Sequence, residues 1–227
     1  MNILERDERL RGRRHIGVTS LRPRAVPRWY EFAKRATDIT GSIAILTLCA
    51  PIVLGAAIAI SIVSHGSPVF AQERVGIDGR RFRMYKLRSM VEGAHLLHDD
   101  VRHLNDVTGP VLKIKRDPRL HALGSFLRRT SIDELPNFIN VLRGEMSIVG
   151  PRPPLPSEVE HYDASALRRL TVKPGITCLW QINGRSHIDF EHWMELDCQY
   201  IQSWTPLGDL AIILKTVPAV IRGTGAH

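Results

Sequence analysis

Cysteine is scarce in this chain of 227 residues, which contains only Cys49, Cys178 and Cys198. The three form neither a CxxC pair nor the spacing of zinc ligands, which excludes a disulfide-stapled scaffold and favours a reducing, cytosolic setting. The GxGxxG, P-loop, GxSxG and HExxH motifs are also missing, and there is no internal repeat. The function must therefore be sought in the distribution of charge and hydrophobicity.

Acidic residues are outnumbered, with 23 Asp and Glu against 31 Lys and Arg, which gives a net charge of +8 and a pI near 9.9. This excess favours polyanionic partners, namely nucleic acid, phosphorylated substrates or an anionic lipid surface. A soluble protein with a solvated basic face is the alternative. Residues 1–28 are rich in arginine and contain Pro23 and Pro27, so we expect a poorly ordered tail rather than a signal peptide.

Charged residues are absent altogether from residues 39–63. As a helix this run would measure about 37 Å, enough for the roughly 30 Å hydrocarbon core of a bilayer. Pro51 lies in its middle, where a proline removes a helical hydrogen bond, and basic residues flank both ends. By the positive-inside rule both ends then belong on the cytoplasmic side. These facts favour a re-entrant helix broken at Pro51 over a kinked single-pass helix, which is the alternative.

Beyond the apolar run the pattern predicts a mixed α+β domain. Residues 69–76 and 81–88 read as two strands around a turn, and the second alternates basic with apolar residues, which predicts a half-buried strand with a cationic outer face. Residues 207–221 predict an apolar helix on the core or in the membrane interface. We further expect helices over residues 90–105, 158–170 and 189–204, and strands over residues 111–115, 146–150 and 179–185.

Two adjacent carboxylates, Asp133 and Glu134, stand in the segment TSIDELP at residues 130–136. Ser131 and Glu134 match a capping box, which would give Glu134 a structural role. Pro136 argues against the box, because a helix beginning at Asp133 or slightly later tolerates the proline better. The carboxylates would then lie at a helix start, where phosphate binds and a carboxylate stays ionised. An ionised carboxylate can attack phosphorus, and a second one beside it suits Mg²⁺.

These carboxylates and the segments around them resemble the bacterial sugar transferases, the monotopic phosphoglycosyl transferases that begin polysaccharide and glycoconjugate synthesis. The resemblance runs from about Lys34 to the C-terminus and rests on many blocks in order rather than on one motif. The blocks are KR with Asp38 ahead of the Pro51 helix, RVG at 74–76, KLRSM at 86–90, DPR at 117–119, Arg128 ahead of TSIDELP, RGEMSIVGPRP at 143–153, KPGIT at 173–177 and WQINGR at 180–185.

The resemblance implies a reaction in which a UDP-sugar gives its sugar-1-phosphate to undecaprenyl phosphate and UMP is released. It implies that Asp133 is the nucleophile, forming a phosphosugar-aspartyl enzyme, and that Glu134 helps to hold Mg²⁺. Direct transfer with Asp133 as general base is the alternative. The resemblance implies phosphate or nucleotide binding for Lys86, Arg88, Arg128, Pro151, Arg152 and Pro153, and membrane positioning for Lys34, Arg35, Asp38 and Pro51.

The implied organisation is a monotopic protein on the cytoplasmic face of the bacterial inner membrane. It comprises a basic tail (residues 1–28), an interfacial lead-in with a re-entrant membrane helix (residues 29–65), and a cytosolic catalytic domain with a C-terminal interfacial helix (residues 66–227). The partners implied are the UDP-sugar, undecaprenyl phosphate and the membrane leaflet, with no nucleic acid, and a homodimer is left open. The chain resembles the short form of the family, without a preceding multi-span region.

Departures from the family pattern are Ala50, where many relatives carry serine before the helix-breaking proline, and Cys178, where glycine is common. The Trp180-Gln181 block resembles the branch that uses UDP-glucose or UDP-galactose. A member that uses an N-acetylated UDP-sugar is one alternative. A non-catalytic, membrane-anchored basic protein that binds lipid or nucleic acid is the alternative from another class.

Overall fold

A computed structural model describes residues 26–64, 66–94, 96–97, 100–106, 112, 114, 116–183 and 190–222, and it contains both helices and strands, as the sequence predicts. The longest element is helix α1, Arg28–Ser64. Helical backbone continues on both sides of Pro51, so the proline does not divide the segment into two separate helices. The helix is long and apolar enough to cross a membrane, and only 6% of its most apolar 18-residue window is buried in the protein. An exposed apolar helix of this length is compatible with a membrane anchor.

The predicted hairpin is confirmed. Strand β1, Val69–Val75, pairs antiparallel with β2, Arg81–Leu87, and Asp78 and Gly79 in the turn adopt positive φ of 56° and 76°. Strand β2 buries Phe82 and Met84 and exposes the arginines between and before them. Because side chains alternate with a period of two, Lys86 falls on the inner face with Phe82 and Met84 rather than on the cationic outer face.

The remaining described elements are short except for the last two helices. They are α2 (Gly124–Thr130), α3 (Asn137–Arg143), β3 (Ser147–Val149), α4 (Pro156–Val159), β4 (Gly175–Thr177), α5 (Leu179–Ile182), α6 (Phe190–Ser203), α7 (Pro206–Arg222), and 3₁₀ turns at Ile77–Gly79, Arg102–Leu104, Ile132–Glu134 and Ala166–Thr171.

Strands β3 and β4 pair in parallel, and Gly150, which follows β3, lies close to Gly175, the first residue of β4. A Cβ on Gly175 would clash with the Gly150 nitrogen, so the two backbones could not approach each other with a larger residue at this position. The main core joins these strands to the hairpin and to α3, α6 and α7. Its buried members are Phe82, Met84, Phe138, Val141, Met146, Ile148, Val149, Tyr200, Ile201 and Ile212.

Helix α1 is held to this domain near both of its ends. Near its start, the Asp38 carboxylate accepts hydrogen bonds from Ser147 Oγ and the Ile148 N–H at 2.9 and 2.8 Å. Near its end, Ile60 is fully buried against Leu87 and Leu127. The outward face of the helix keeps large apolar side chains exposed, among them Ile43, Leu48, Ile52, Leu54, Ile58 and Ile62.

Three predicted elements are wrong. The described part of residues 90–105 forms turns and one 3₁₀ turn instead of a helix. The helix predicted over residues 158–170 is split, because the Asp163 carboxylate accepts from the Ala166 N–H and Ser165 Oγ, both at 2.8 Å, and starts a new turn. Residues 179–182 form helix α5 rather than a strand. The predicted strand at 111–115 falls largely outside the described residues, as do residues 1–25 of the tail.

Candidate active site

The two carboxylates stand in a 3₁₀ turn between two short helices. Helix α2 ends at Thr130, Ser131 follows it in a left-handed conformation with φ of 56° and ψ of 19°, and the turn Ile132–Glu134 comes next. Helix α3 begins at Asn137 with Pro136 at its N-cap position, so the proline lies where its missing N–H does no harm. The Ser131 side chain makes no capping hydrogen bond, and the capping-box alternative is therefore wrong.

The Glu134 carboxylate instead pairs with Lys86, across a separation of 48 positions in sequence. Lys86 Nζ lies 2.6 Å from Glu134 Oε1, and both side chains are about 30% exposed. The pairing follows from the register of β2, whose inner face points Lys86 toward the turn. A charge-assisted pair at the edge of solvent can exchange partners when an anionic ligand arrives.

Asp133 is more deeply placed, with 6% of its surface exposed. Burial raises the pKa of its carboxyl to about 6, with Lys86 and Arg128 opposing the rise and Glu134 adding to it. The helix-start effect expected to hold this group ionised is thus outweighed by desolvation. A carboxyl with a pKa of about 6 is still roughly 90% ionised at pH 7.

A cavity of about 130 Å³ opens beside Glu134. Three cationic side chains, those of Arg74, Lys86 and Arg152, line it together with the Glu134 carboxylate. This charge distribution suits a phosphorylated ligand. Asp133 does not line the cavity itself but adjoins it through Glu134. The remaining lining residues are Met84, Asn137, Met146, Pro153, Gly175, Ile176, Cys178, Trp180 and Gln181.

Arg152 is held in place by a buried carboxylate, an aromatic ring and a second arginine. Its guanidinium lies 3.3 Å from the buried Glu158 carboxylate and 5.5 Å from the centre of the Trp193 ring. Its carbonyl accepts a hydrogen bond of 3.0 Å from Arg169, which in turn forms a fully buried ion pair with Asp197 at 2.9 Å. The arginine predicted from the proline-rich loop is therefore fixed at the cavity by a layer of paired charges.

Arg74 is a cavity residue to which the sequence assigned no role. Its guanidinium donates to the Pro153 carbonyl at 3.0 Å, and burial lowers its pKa to about 9. It is on β1, where its position within the RVG block was the only signal. Asn137 and Gln181 are the other polar lining residues that sequence reasoning missed.

The structure brings some of the predicted binding residues together and places others apart. Lys86, Arg152 and Pro153 line the cavity. Arg128 interacts electrostatically with Asp133 and donates a hydrogen bond to Ser89 Oγ at 3.1 Å. Burial lowers the pKa of Arg128. Arg128 is outside the lining, and so are Pro151, a buried residue whose carbonyl accepts from the Gly175 N–H, and Arg88, whose guanidinium is 3.7 Å from Glu92.

The predicted membrane-positioning residues contact the domain itself. Lys34 Nζ lies 2.6 Å from the buried Asp209 carboxylate, and the Arg35 guanidinium donates to the carbonyls that end α3, at 2.7 and 2.8 Å. Asp38 binds the start of β3, as described above. Pro51 alone is exposed to the surroundings of α1. Three of these four residues therefore attach the helix to the domain.

Residues 29–223 match the family model described as bacterial sugar transferase. The chain therefore belongs to the bacterial sugar transferase family. It is 48% identical over 196 residues to galactosyl transferase CpsE of Streptococcus agalactiae, covering 86% of this chain and 43% of that protein. It is 36% identical to the exopolysaccharide production protein ExoY of Rhizobium meliloti, covering 86% of this chain and 88% of that protein.

A third relative is the UDP-glucose:undecaprenyl-phosphate glucose-1-phosphate transferase of Escherichia coli, 41% identical over 192 residues. The match covers 81% of this chain and 39% of that protein. The chain thus spans about two fifths of the length of two of these relatives and most of the third.

Proposed function

We propose that this protein transfers sugar-1-phosphate from a UDP-sugar to undecaprenyl phosphate and releases UMP, as a membrane step of polysaccharide synthesis. The observation that carries the proposal is the buried Asp133, which interacts electrostatically with Lys86 and Arg128 and precedes Glu134, a residue of the cavity lined by three cations. Relatives named for undecaprenyl-phosphate transfer of galactose and of glucose-1-phosphate support the acceptor and favour UDP-galactose or UDP-glucose as donor.

The chemistry proceeds in two displacements at one phosphorus. An Asp133 carboxylate oxygen attacks the sugar-bearing phosphorus, and the bond from that phosphorus to the bridging oxygen breaks, so UMP leaves with that oxygen. An oxygen of undecaprenyl phosphate then attacks the same phosphorus, the aspartyl–phosphorus bond breaks, and the free carboxylate is restored. Desolvation of Asp133 strengthens the first attack because a buried carboxylate with a raised pKa is a more basic oxygen.

The cations divide the negative charge of the donor among them. Lys86 can leave Glu134 for a phosphate oxygen, Arg152 and Arg74 line the cavity, and Arg128 interacts electrostatically with Asp133. Glu134 offers carboxylate oxygens for Mg²⁺, which when bound neutralises diphosphate charge. A direct transfer with Asp133 as base would need the same cations, so the two mechanisms differ only in whether the aspartyl adduct exists.

The donor panel tests this function. Purified protein with undecaprenyl phosphate and Mg²⁺ is offered UDP-glucose, UDP-galactose and their N-acetylated counterparts, and UMP is measured. We expect one or both of the plain hexoses to give UMP at least about tenfold faster than the N-acetylated sugars. Release from none of the four would contradict the proposal, and release from the N-acetylated sugars alone would correct the donor.

We further propose that both ends of α1 lie on the cytoplasmic face of the bacterial inner membrane, with the apolar middle of the helix dipping into the bilayer. Asp38 and Ile60 both contact the same globular domain. A helix that crossed the membrane would place Asp38 and Ile60 on opposite sides of about 30 Å of hydrocarbon. The stripe of Leu207, Leu210, Leu214 and Val217 exposed on α7 gives the domain a second apolar surface for the interface.

Cysteine labelling tests this topology. Single cysteines replace Phe32 and Ser67, which flank the apolar segment, in a background lacking native cysteines. In sealed inverted membrane vesicles, a membrane-impermeant maleimide should label both positions, and in right-side-out vesicles it should label neither before lysis. Labelling of the two positions from opposite sides would contradict the proposal.

The pH dependence of the first displacement follows from the pKa of Asp133. Single-turnover UMP release without lipid acceptor should rise with pH and level off above an apparent pKa of about 6, because only the carboxylate attacks. Well below that value the rate should fall about tenfold per pH unit. The UDP-sugar diphosphate does not titrate in this range, so a flat profile between pH 5 and 7 would contradict Asp133 as the attacking group.

A further inference from the structure

Asn137 is a buried amide that the protein leaves without a partner. Only 3% of the residue is exposed, and its Oδ1 accepts no hydrogen bond. A buried unpaired acceptor destabilises a fold, so such an atom calls for an explanation. Asn137 lines the cationic cavity, and a ligand bound there can supply what the protein does not.

Asn140, one turn further along α3, shows what a structural amide looks like in this fold. Its Nδ2 donates to the Arg83 carbonyl and to Glu145 Oε2, both at 2.7 Å, and its Oδ1 accepts from the Tyr85 N–H at 3.1 Å. All of its hydrogen bonds are thus made within the protein, and it ties α3 to β2. Asn137 on the same helix lines the cavity, and its Oδ1 is buried without a hydrogen-bond partner.

The position of Asn137 relative to Glu134 is fixed by helical backbone. Leu135 and Pro136 between them both adopt right-handed helical dihedrals, with φ of −56° and −61°. Residues three apart on such backbone lie on the same side, with Cβ atoms roughly 5–6 Å from each other. Glu134 and Asn137 both line the same cavity, so the residues that carry a carboxylate and an unpaired amide oxygen are neighbours in its wall.

The chemistry of the cavity selects the partner of this oxygen. Phosphate oxygens are acceptors and find their donors in Arg74, Lys86 and Arg152, whereas an unpaired acceptor needs a donor or a cation. Mg²⁺ prefers oxygen ligands and takes only one or two from the protein when substrate phosphates supply others. The described residues contain no cluster of three or more His, Cys, Asp or Glu that could hold a metal. The protein ligands proposed for Mg²⁺ are therefore the Glu134 carboxylate and the unpaired Asn137 Oδ1.

We propose that Asn137 Oδ1 and the Glu134 carboxylate together bind the Mg²⁺ that accompanies the donor diphosphate. This inference rests on the proposed function and adds Asn137 as a metal ligand. Lys86, which holds Glu134 at 2.6 Å, moves to a phosphate oxygen when the ion binds. The cation and the lysine thus exchange places on Glu134 as the donor enters.

Manganese binding tests the inference without requiring turnover. Mn²⁺ is titrated into protein with UDP, free Mn²⁺ is followed by electron paramagnetic resonance, and a titration of UDP alone is subtracted. Asn137→Ala should weaken Mn²⁺ binding at least about tenfold, the cost expected even for outer-shell partners of a metal. Asn137→Asp keeps an oxygen in place and should retain the affinity, and Gln202→Ala, which removes an exposed neutral amide from α6 outside the cavity, should leave it unchanged.

Folding is not expected to confuse this result. Because Asn137 Oδ1 makes no hydrogen bond, Asn137→Ala should melt at or above the wild-type temperature. Unchanged Mn²⁺ affinity in Asn137→Ala would overturn the inference. If that variant also altered the choice among UDP-sugars, Asn137 would contact a sugar hydroxyl instead of the metal ion. Failure of the wild type to release UMP contradicts the proposed function instead, so the two failures are distinguishable.

Discussion

Replacement of Asp133 by Asn should abolish UMP release from a UDP-sugar in the presence of undecaprenyl phosphate and Mg²⁺. The amide has no anionic oxygen to attack phosphorus, and removal of a covalent nucleophile commonly lowers kcat by about 10⁴-fold or more. The matched control is Asp78→Asn, which removes an exposed carboxylate from the hairpin turn, where φ of 56° suits asparagine. Near-normal turnover in Asp133→Asn would contradict the covalent mechanism.

The same substitution should stabilise the fold, which separates lost chemistry from lost structure. Burial raises the Asp133 pKa from 3.8 to about 6, so the folded state binds the proton more tightly than the unfolded state. As pH rises between these values the native protein loses stability, by up to about 3 kcal/mol at neutral pH. Asp133→Asn removes that cost, and we expect a higher melting temperature than wild type at pH 7.5 and a smaller difference at pH 4.

Asp197→Ala should produce the largest loss of stability. Asp197 and Arg169 form an ion pair at 2.9 Å in which each side chain is 1% exposed. Removal of the carboxylate leaves the Arg169 charge buried and uncompensated, which costs about 3–5 kcal/mol. Thermal unfolding of the detergent-purified protein would show this as a large fall in melting temperature, with loss of activity because Arg169 also supports the Arg152 carbonyl.

A double variant provides the control for that loss. Asp197→Leu with Arg169→Met replaces both charges by apolar side chains of similar size, and much of the stability should return, since no charge is then left unpaired. A fall of less than about 1 kcal/mol in Asp197→Ala, within the range of an exposed pair, would show that the buried ion pair contributes little to this fold.

The sequence predicted the parts of the fold that depend on local patterns. Strict alternation from Arg81 to Met84 gave the hairpin strand, and the uncharged run gave the long helix. The sequence also held the signal for Lys86. Tyr85 interrupts the alternation of basic and apolar residues, so Lys86 falls two positions after Met84 and lies on the inner face with Phe82 and Met84. Short apolar runs carry less information, which is why residues 179–182 were predicted as a strand and form a helix.

What the sequence could not supply is burial and long-range pairing. The Asp133 pKa depends on how much of the folded chain covers it, which no local pattern records. Lys34 and Arg35 look like headgroup anchors because they precede an apolar helix, yet Lys34 pairs with Asp209, 175 positions away. The sequence therefore predicted the central residues of the candidate site, Asp133, Glu134, Lys86 and Arg152. It did not predict Arg74, Asn137 and Gln181, which complete the cavity.

The aspartyl adduct is the most direct test of the account. Protein and UDP-sugar are mixed with Mg²⁺ but without lipid acceptor, quenched in acid and analysed by intact-mass and peptide mass spectrometry. We expect a mass increase of one sugar phosphate on the peptide that contains Asp133, formed together with UMP and lost when undecaprenyl phosphate is added before the quench. Absence of any adduct from protein that releases UMP with the lipid present would contradict the account and favour direct transfer.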